Sequence, residues 1–247
     1  MDPLTAAAAA GLQSRMDSLD LLANNLANTS TSGYKSDREF YNTYLSADAL
    51  NNPDPAVGDS PVVERQWTDF SQGSVTSTGN PTDLALSGRG FFVVNGPNGP
   101  LYTRNGSFQI SQQGTLVSNE GYPVRLSDGQ PLTVDPNSAL VVGADGSVSQ
   151  NGASLGQLQL VEFADPSLLR KASGTNFESP DPRKVAPQAA TNVQVAQGKL
   201  ESSNASSTES AARMVVLLRN FEMLQKAVKI GTDMNRQAIE EVAKVGS

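Results

Sequence analysis

Residues Gly152-Ala153-Ser154-Leu155-Gly156 spell G-x-S-x-G, the pattern in which a serine nucleophile stands between two glycines. The chemistry would be acyl transfer, with the hydroxyl activated by an imidazole. Two features oppose it. The nucleophile elbow needs a strand before the serine and a helix after it, whereas this pentapeptide follows an Asn-Gly turn and opens a stretch of strand character; and the chain contains no histidine. It contains no cysteine either, which removes thiol nucleophiles, disulfides and Cys/His zinc sites. Gly88-Arg89-Gly90 is not a phosphate loop, because no helix follows it and the Walker lysine is missing; it reads as a turn. A pair of carboxylates is enough for glycoside hydrolysis, and Glu64, Asp69, Asp83 and Glu120 share one region, but nothing in their spacing brings two together. Asp128-Gly129 and Asp145-Gly146 lack the repeated oxygen ligands of a calcium loop. The expectation is a protein without catalytic residues, metal, cofactor or small-molecule substrate.

Composition narrows the class further. At 247 residues the chain has room for one large or two small domains. Hydrophobic residues make up 38% and aromatic ones 6%, with 21 Gly and 14 Pro, which suits a folded chain with many turns and a modest core. A formal charge of -7 argues against a nucleic-acid partner held by a basic face. The absence of cysteine fits either redox compartment. Leu4 to Leu12 is too short to span a bilayer, has no basic flank and follows Asp2, so neither a signal peptide nor a membrane span is expected.

The elements that must do the positioning lie at the two ends. From a cap at Ser206, with Glu209 in capping-box position, to about Lys244, Met214, Leu217, Phe221, Leu224 and Val228 step 3, 4, 3, 4, and Leu218 widens the stripe. At about 1.5 Å per residue this is a rod of about 54 Å, too long for one small core to cover. At the other end Asp2-Pro3 starts a helix carried by Ala6 to Ala10 and ending near Asn28, on which Leu12, Met16, Leu19, Ala23 and Leu26 step 4, 3, 4, 3. Such stripes serve a chain's own core or a partner outside it, and pattern alone leaves both open.

Between the helices the period changes to two. Short strands are expected from Val62 to Phe163, separated by Asn95-Gly96, Asn98-Gly99, Asn105-Gly106, Asp128-Gly129, Asp145-Gly146 and Asn151-Gly152, dipeptides suited to positive φ in hairpins. Phe40, Tyr41, Tyr44 and Leu45 suggest a short helix, and Asn51 to Gly58 a loop. The fold class is therefore α+β, with long N- and C-terminal helices pairing as a coiled-coil-like bundle and a central all-β domain built of hairpins. The divisions are 1–35, N-terminal helix and turn; 36–61, irregular connection; 62–164, β domain; 165–200, irregular connection and a final extended segment; and 201–247, C-terminal helix.

A family resemblance runs through these elements in order. L-A-N-N-L-A-N-T-S-T-S-G-Y-K at Leu22 to Lys35 closely resembles the N-terminal signature of flagellar axial proteins of the basal-body rod and hook family. D-F-S-Q-G at Asp69 to Gly73, T-G-N-P-T-D-L-A-L-S-G-R-G-F-F-V-V at Thr78 to Val94 and Y-T-R-N-G-S-F at Tyr102 to Phe108 extend it. G-T-L-V at Gly114, G-Y-P-V at Gly121 and G-K-L-E-S-S-N at Gly198 to Asn204 follow, and the likeness fades from Asp165 to Ala190. After Asn204 the family continues with an apolar residue and two acids. This chain has Ala205-Ser206-Ser207-Thr208, then Glu209 and Ser210, so the first turn of the helix is expected to pack less well; Arg219, Phe221 and Glu222 keep the pattern.

The resemblance implies a non-enzymatic structural subunit of a bacterial flagellum, in the rod that crosses the periplasm. Terminal helices would build an inner tube with the β domain outside it. Its partners would be copies of itself, other rod proteins and the flagellar type III export apparatus, reached without a cleaved leader. Length and the short Tyr34 to Pro61 connection make it more similar to the proximal-rod branch than to the distal-rod or hook branches. The alternative is a secreted glycan-binding or glycan-cleaving β protein. As assembly contacts the stripes nominate Leu12, Met16, Leu19, Ala23, Leu26, Met214, Leu217, Leu218, Phe221, Leu224 and Val228. Asn24, Asn25, Asn28, Gly33 and Tyr34 are expected to fix helix register or the signature turn. In a free monomer the ends are expected to be disordered or only transiently helical.

Overall fold

In the computed structural model the backbone is described for residues 3–44, 60–181 and 183–245; side chains are described over 11–39, 66–181 and 183–234 and at Arg236, Gln237 and Glu240. The fold is α+β, with helix α1 at Pro3–Ala27, helix α2 at Ser207–Val245, and strands between them. In chain order these are β1 Asp37–Tyr44, β2 Ser60–Thr68, β3 Val75–Ser77, β4 Leu84–Ser87, β5 Phe91–Gly96, β6 Gly99–Thr103, β7 Gln109–Ile110, β8 Leu116–Val117 and β9 Leu140–Val142. There follow β10 Ser147–Gln150, β11 Ala153–Gln157, β12 Leu160–Glu162, β13 Arg170–Ser173, β14 Asn176–Glu178, β15 Gln188–Ala189, β16 Gln194–Gln197 and β17 Lys199–Glu201.

The chain forms two compact units. The helical unit comprises Met1–Ala27, Asp37–Trp67 and Ser206–Ser247; within it α1 packs on α2, and β1 pairs with β2. Pro3 occupies the first helical position of α1, where its missing N–H costs no bond; Asp2, expected to cap it, lies outside the described residues. Ser206 caps α2 through its Oγ, which accepts the Glu209 amide at 3.3 Å. Phe40, Tyr41 and Tyr44 belong to strand β1 rather than to a helix. Aromatic residues favour a pleated surface once a partner strand is present, and β2, remote in sequence, supplies it. Leu45 and the loop expected from Asn51 to Gly58 lie outside the described residues.

The β unit comprises Asn28–Ser36 and Thr68–Ala205. Its largest sheet has the order β13-β14-β6-β5-β12-β15, and every pairing for which a register is defined is antiparallel. Strand β5 explains the layering. Phe92 and Val94 enter one apolar cluster with Leu84, Leu86 and Phe108, while Phe91 and Val93 enter a second with Tyr102, Phe163 and Phe177. Successive side chains of a strand point to opposite faces, so an unbroken Phe-Phe-Val-Val run marks a strand buried on both sides. The stretch 165–190 is more ordered than its polar composition suggests, with β13, β14, β15 and a 3-10 turn at Pro166–Leu168. Phe177 anchors it, paired with Tyr102 across β14 and β6 and almost fully buried. Of the expected turn glycines, Gly99, Gly129, Gly146 and Gly152 adopt positive φ, whereas Gly96 and Gly106 lie outside the left-handed region. Asn151 at φ 52° followed by Gly152 at φ 78° gives the β10–β11 hairpin its two left-handed residues.

Phe92 is fully buried and meets the Phe108 ring edge-on at 5.2 Å. Phe92→Ala is expected to lower the unfolding free energy of the β unit by about 3–5 kcal/mol, read from the urea midpoint of the full-length chain.

Candidate functional site

On α2 the expected stripe is the face turned inward. Leu217 is buried, Met214, Phe221, Leu224 and Val228 are half-buried, and Leu224 Cδ1 would lie 3.8 Å from a Cβ placed on Gly11 of α1. Leu218 is 46% exposed. On α1 the buried positions are Ser14, Ser18, Leu21, Leu22 and Asn25. Leu12, Leu19 and Leu26 are half-buried beside them, while Met16 and Ala23 face solvent. The inward face of α1 thus contains two serines and an asparagine, small or hydrogen-bonded groups that an apolar count passes over. Ser18 Oγ lies 2.7 Å from Glu39 Oε2 and 3.0 Å from the Ser14 carbonyl.

A second stripe on α2 was not apparent from the first. Val216, Met223, Ile230 and Met234 are 57%, 61%, 60% and 64% exposed. With Asn220 and Ala227, both lying between them, they step 4, 3, 4, 3, 4, one residue behind the inward stripe and so about 100° around the helix. The seven-residue spacing of Val216, Met223 and Ile230 was the available signal.

The signature residues separate into distinct roles. Asn25 acts like a strand edge: its Nδ2 donates to the Asp37 carbonyl at 2.8 Å and its Oδ1 accepts the Asp37 amide at 3.0 Å. Asn24 is exposed, and Asn28 Oδ1 accepts from the Thr31 hydroxyl at 3.1 Å. Gly33 has φ 67°, and a Cβ there would stand 2.2 Å from the Asn105 amide nitrogen, so only glycine fits. Its own amide donates to the Glu201 carbonyl at 2.7 Å. Tyr34 is buried beneath the Lys171 ammonium, 4.4 Å from its ring centroid.

The next residue, Lys35, opens a site that the sequence did not disclose. Its side chain is fully buried, with Nζ 2.5 Å from Glu201 Oε1 and 2.6 Å from the Ser71 carbonyl. Glu201 is also fully buried; its Oε1 accepts the Gly73 amide at 2.9 Å, and its Oε2 lies 3.3 Å from Arg104 Nη1. Arg104 Nη2 donates to the Gly88 carbonyl at 2.6 Å. Lys35, Gly73, Gly88, Arg104 and Glu201 each belong to a different one of the separated motifs S-G-Y-K, S-Q-G, L-S-G-R-G, T-R-N-G and K-L-E-S-S-N. The carboxylate therefore gathers four segments, its own included, and Arg104 adds the fifth through Gly88. Burial pushes the Lys35 ammonium below its ordinary value of 10.5, opposed by Glu201 and reinforced by the Arg104 charge. Burial likewise lowers Arg104, with Glu201 opposing.

The residues with possible chemistry lie apart from one another. Ser154 stands on β11, paired with Ser149, with no helix behind it. Asp69 Oδ1 accepts the Ser71 amide, and Asp83 Oδ1 accepts from Asn80, each in its own turn. Among the described residues no cluster of His, Cys, Asp and Glu could hold a metal ion. A cleft of about 730 Å³ in the β unit is lined by Tyr122, Arg170 and Glu178 among others, but Glu178 is its one carboxylate and is paired with Arg170. Glycoside hydrolysis needs two.

Charge bookkeeping in the ionic cluster gives an ordering of variants. Glu201→Gln leaves two buried cations without an anion and is expected to cost about 3–5 kcal/mol, whereas Lys35→Met leaves the neutral Arg104–Glu201 pair and costs less. Because the folded-state value of Lys35 lies below 10.5, folding releases a proton in the interval between them. The stability of wild type relative to Lys35→Met should therefore rise as pH increases towards 10.5 and fall as pH drops towards the folded value, as followed by urea midpoints across that range.

Comparison with known proteins assigns these features to one lineage. The flagellar hook protein FlgE/F/G D1 domain family matches residues 85–150, and the flagellar basal body rod FlgEFG protein C-terminal family matches residues 196–241. The flagellar basal-body rod protein FlgF of Caulobacter vibrioides is 34% identical over 232 residues, 92% of this chain and 92% of the relative. The rod protein FlgG of Buchnera aphidicola subsp. Schizaphis graminum is 31% identical over 249 residues, 91% of this chain and 94% of the relative. FlgG of Bacillus subtilis is 27% identical, with 93% of this chain and 95% of the relative covered. Arg104 and Gly88 lie in the first matched stretch and Glu201 and Asn204 in the second, and the likeness spans both units: the chain belongs to the flagellar basal-body rod protein family and is a structural subunit of that rod.

Proposed function

We propose that the subunit polymerises through its terminal helices, with itself and with other rod proteins, and that it does so in the proximal part of the rod without any catalytic step. The observation that carries this reading is the exposed stripe of Val216, Met223, Ile230 and Met234 on α2. Large apolar side chains at heptad spacing, on a face α1 leaves open, are a surface in need of a helix. Fully burying each is worth about 1.5–3 kcal/mol, so the half-exposed set offers several kcal/mol per subunit.

Length supports the same conclusion. α1 has 25 residues and α2 has 39, about 37 Å against about 58 Å, so even a fully paired α1 leaves about 20 Å of α2 that α1 cannot cover. In this proposal the two helices pair antiparallel in coiled-coil fashion through Met214, Leu217, Phe221, Leu224 and Val228. Leu12, Met16, Leu19, Ala23, Leu26 and Leu218 complete contacts to adjacent subunits, and Asn24, Asn25, Asn28, Gly33 and Tyr34 hold the turn. A head-to-tail contact of this kind extends into an open helical array when its rotation does not close a ring. Ordering of the helix ends would then be completed on assembly, after delivery through the flagellar export apparatus. Chain length and the short connection from Tyr34 to Pro61 favour the proximal branch. The divisions 1–35, 36–61, 62–164, 165–200 and 201–247 would serve as assembly helix, spacer, β domain, spacer and assembly helix.

Ile230→Asp puts a charge on the exposed stripe, where the isolated fold has nothing to lose. Its thermal midpoint and circular dichroism should match wild type, while motility in a strain relying on the variant falls at least about tenfold. Wild-type motility with Ile230→Asp and Met223→Asp combined would remove the stripe as an interface. Leu217→Asp, in the inward seam, is expected to lower helix content as well as motility.

A further inference from the structure

Asn-Gly occurs four times in the chain, at 95–96, 98–99, 105–106 and 151–152, and all four pairs lie in the β unit. Besides its use in turns, the pair has a chemistry of its own. The glycine amide nitrogen can attack Cγ of the preceding asparagine, because no Cβ on the glycine obstructs the approach. A new C–N bond closes a succinimide ring; the bond from Cγ to the side-chain nitrogen breaks, and that nitrogen leaves as ammonia with the proton of the glycine N–H. Water then opens the ring. Attack at the side-chain carbonyl gives aspartate, attack at the main-chain carbonyl gives isoaspartate, and either route restores the N–H. The reaction needs an asparagine side chain free to turn, backbone free to follow it, and access for water.

Three of the four pairs are held. Asn105 is 7% exposed, its Oδ1 accepts the Ser107 amide at 3.0 Å, and its own amide donates to Thr103 Oγ1 at 3.0 Å. A Cβ on Gly106 would stand 1.6 Å from the Leu84 carbonyl oxygen, so the backbone there has no room to swing. Asn95 lies in β5 opposite Pro100, its amide donates to the Pro123 carbonyl at 2.8 Å, and a Cβ on Gly96 would be 2.6 Å from Leu101 Cδ1. Asn151 Nδ2 donates to Ser138 Oγ at 3.0 Å, and the left-handed turn of the β10–β11 hairpin fixes its backbone. Asn98 differs in each respect. Gly96 at the end of β5 pairs with Gly99 at the start of β6, so Pro97 and Asn98 are the hairpin loop. Residues 97–100 are exposed, and nothing lies within 4 Å of where a Cβ on Gly99 would stand.

We propose that Asn98 is the residue at which the folded chain modifies itself, by succinimide formation with Gly99, while the fold spares Asn95, Asn105 and Asn151. The product exchanges a neutral amide for a carboxylate and so adds one negative charge to the formal -7. That charge arises on the wall of a cleft that Arg170 and Lys171 also line, where Glu178 otherwise supplies the carboxylate. The isoaspartate route also adds a methylene to the main chain of a two-residue loop. This inference concerns the β unit alone and stands whether or not the subunits polymerise.

The test is incubation of the full-length protein in mildly alkaline buffer made with heavy-oxygen water, followed by peptide mass spectrometry with fragmentation that separates Asn95 from Asn98. Conversion at Asn98 is expected to be at least about tenfold faster than at each of the other three, which must first open locally. Each product should carry one labelled oxygen. In guanidinium chloride above the unfolding midpoint the four rates should converge, because the fold is what separates them. Asn98→Gln, which would need a larger ring, should abolish the fast site and leave the other three rates unchanged. Equal rates at all four pairs in the folded chain, or a faster rate at any of the held three, overturns the proposal. So does an undiminished preference for Asn98 in the denatured chain, which would take the selection away from the fold.

Discussion

The separated segments of the β unit that meet at Lys35, Gly73 and Arg104 depend on the carboxylate of Glu201, a buried anion that holds two buried cations. Burying three charges is costly, and an apolar cluster of the same volume would often be as stable. What the charges add is specificity. A methyl group in that position would tolerate several neighbours, whereas Glu201 accepts from Lys35, Gly73 and Arg104 at defined distances. Each of those donors sits beside a segment that must be brought to the same place: the signature turn, the return from β2, and the end of β6.

The two units solve opposite problems. In the β unit, β5 is covered on both faces, and the two apolar clusters are complete within the chain. In the helical unit, α2 is covered on one face only, and its remaining apolar residues lie at intervals that another helix would match. A fold closed at one part and open at another suits a structural subunit, because the closed part keeps its shape whatever the open part binds. No chemistry is required of such a molecule; stiffness of the helices and accuracy of their placement are the properties that assembly would use.

Position also changes how the polar residues of α1 are understood. Ser14, Ser18 and Asn25 fall on the buried side, and Asn25 exchanges two hydrogen bonds with the backbone of Asp37. The side chain substitutes for a strand neighbour, fixing where β1 begins. Similarly, Ser210 in the first turn of α2 is buried, while Glu209 forms an ion pair with Arg213 at 2.7 Å. The departure from the family pattern after Asn204 therefore leaves the helix start capped and charged, with its apolar packing beginning at Met214.

The residues alone determined the long helices, the strand-rich middle and the exclusion of imidazole and thiol chemistry, because helical period, strand period and composition are local properties. The heptad steps on α2 marked an apolar stripe for the same reason, and in the fold Leu217 of that stripe is buried. The stripe on α1 passed over Ser14, Ser18 and Asn25, since a serine or asparagine satisfied by a neighbour is as easily buried as a leucine, and that neighbour is visible only in the folded chain. Phe40 to Tyr44 took the strand form because β2 lies beside it, and 165–190 gained its strands because β6 and β12 offer edges. The cluster of Lys35, Arg104 and Glu201 was beyond sequence for a stricter reason. In one chain a lysine and a glutamate separated by most of the β unit look like solvated surface, and only the tertiary structure, by removing water from all three at once, makes them a site.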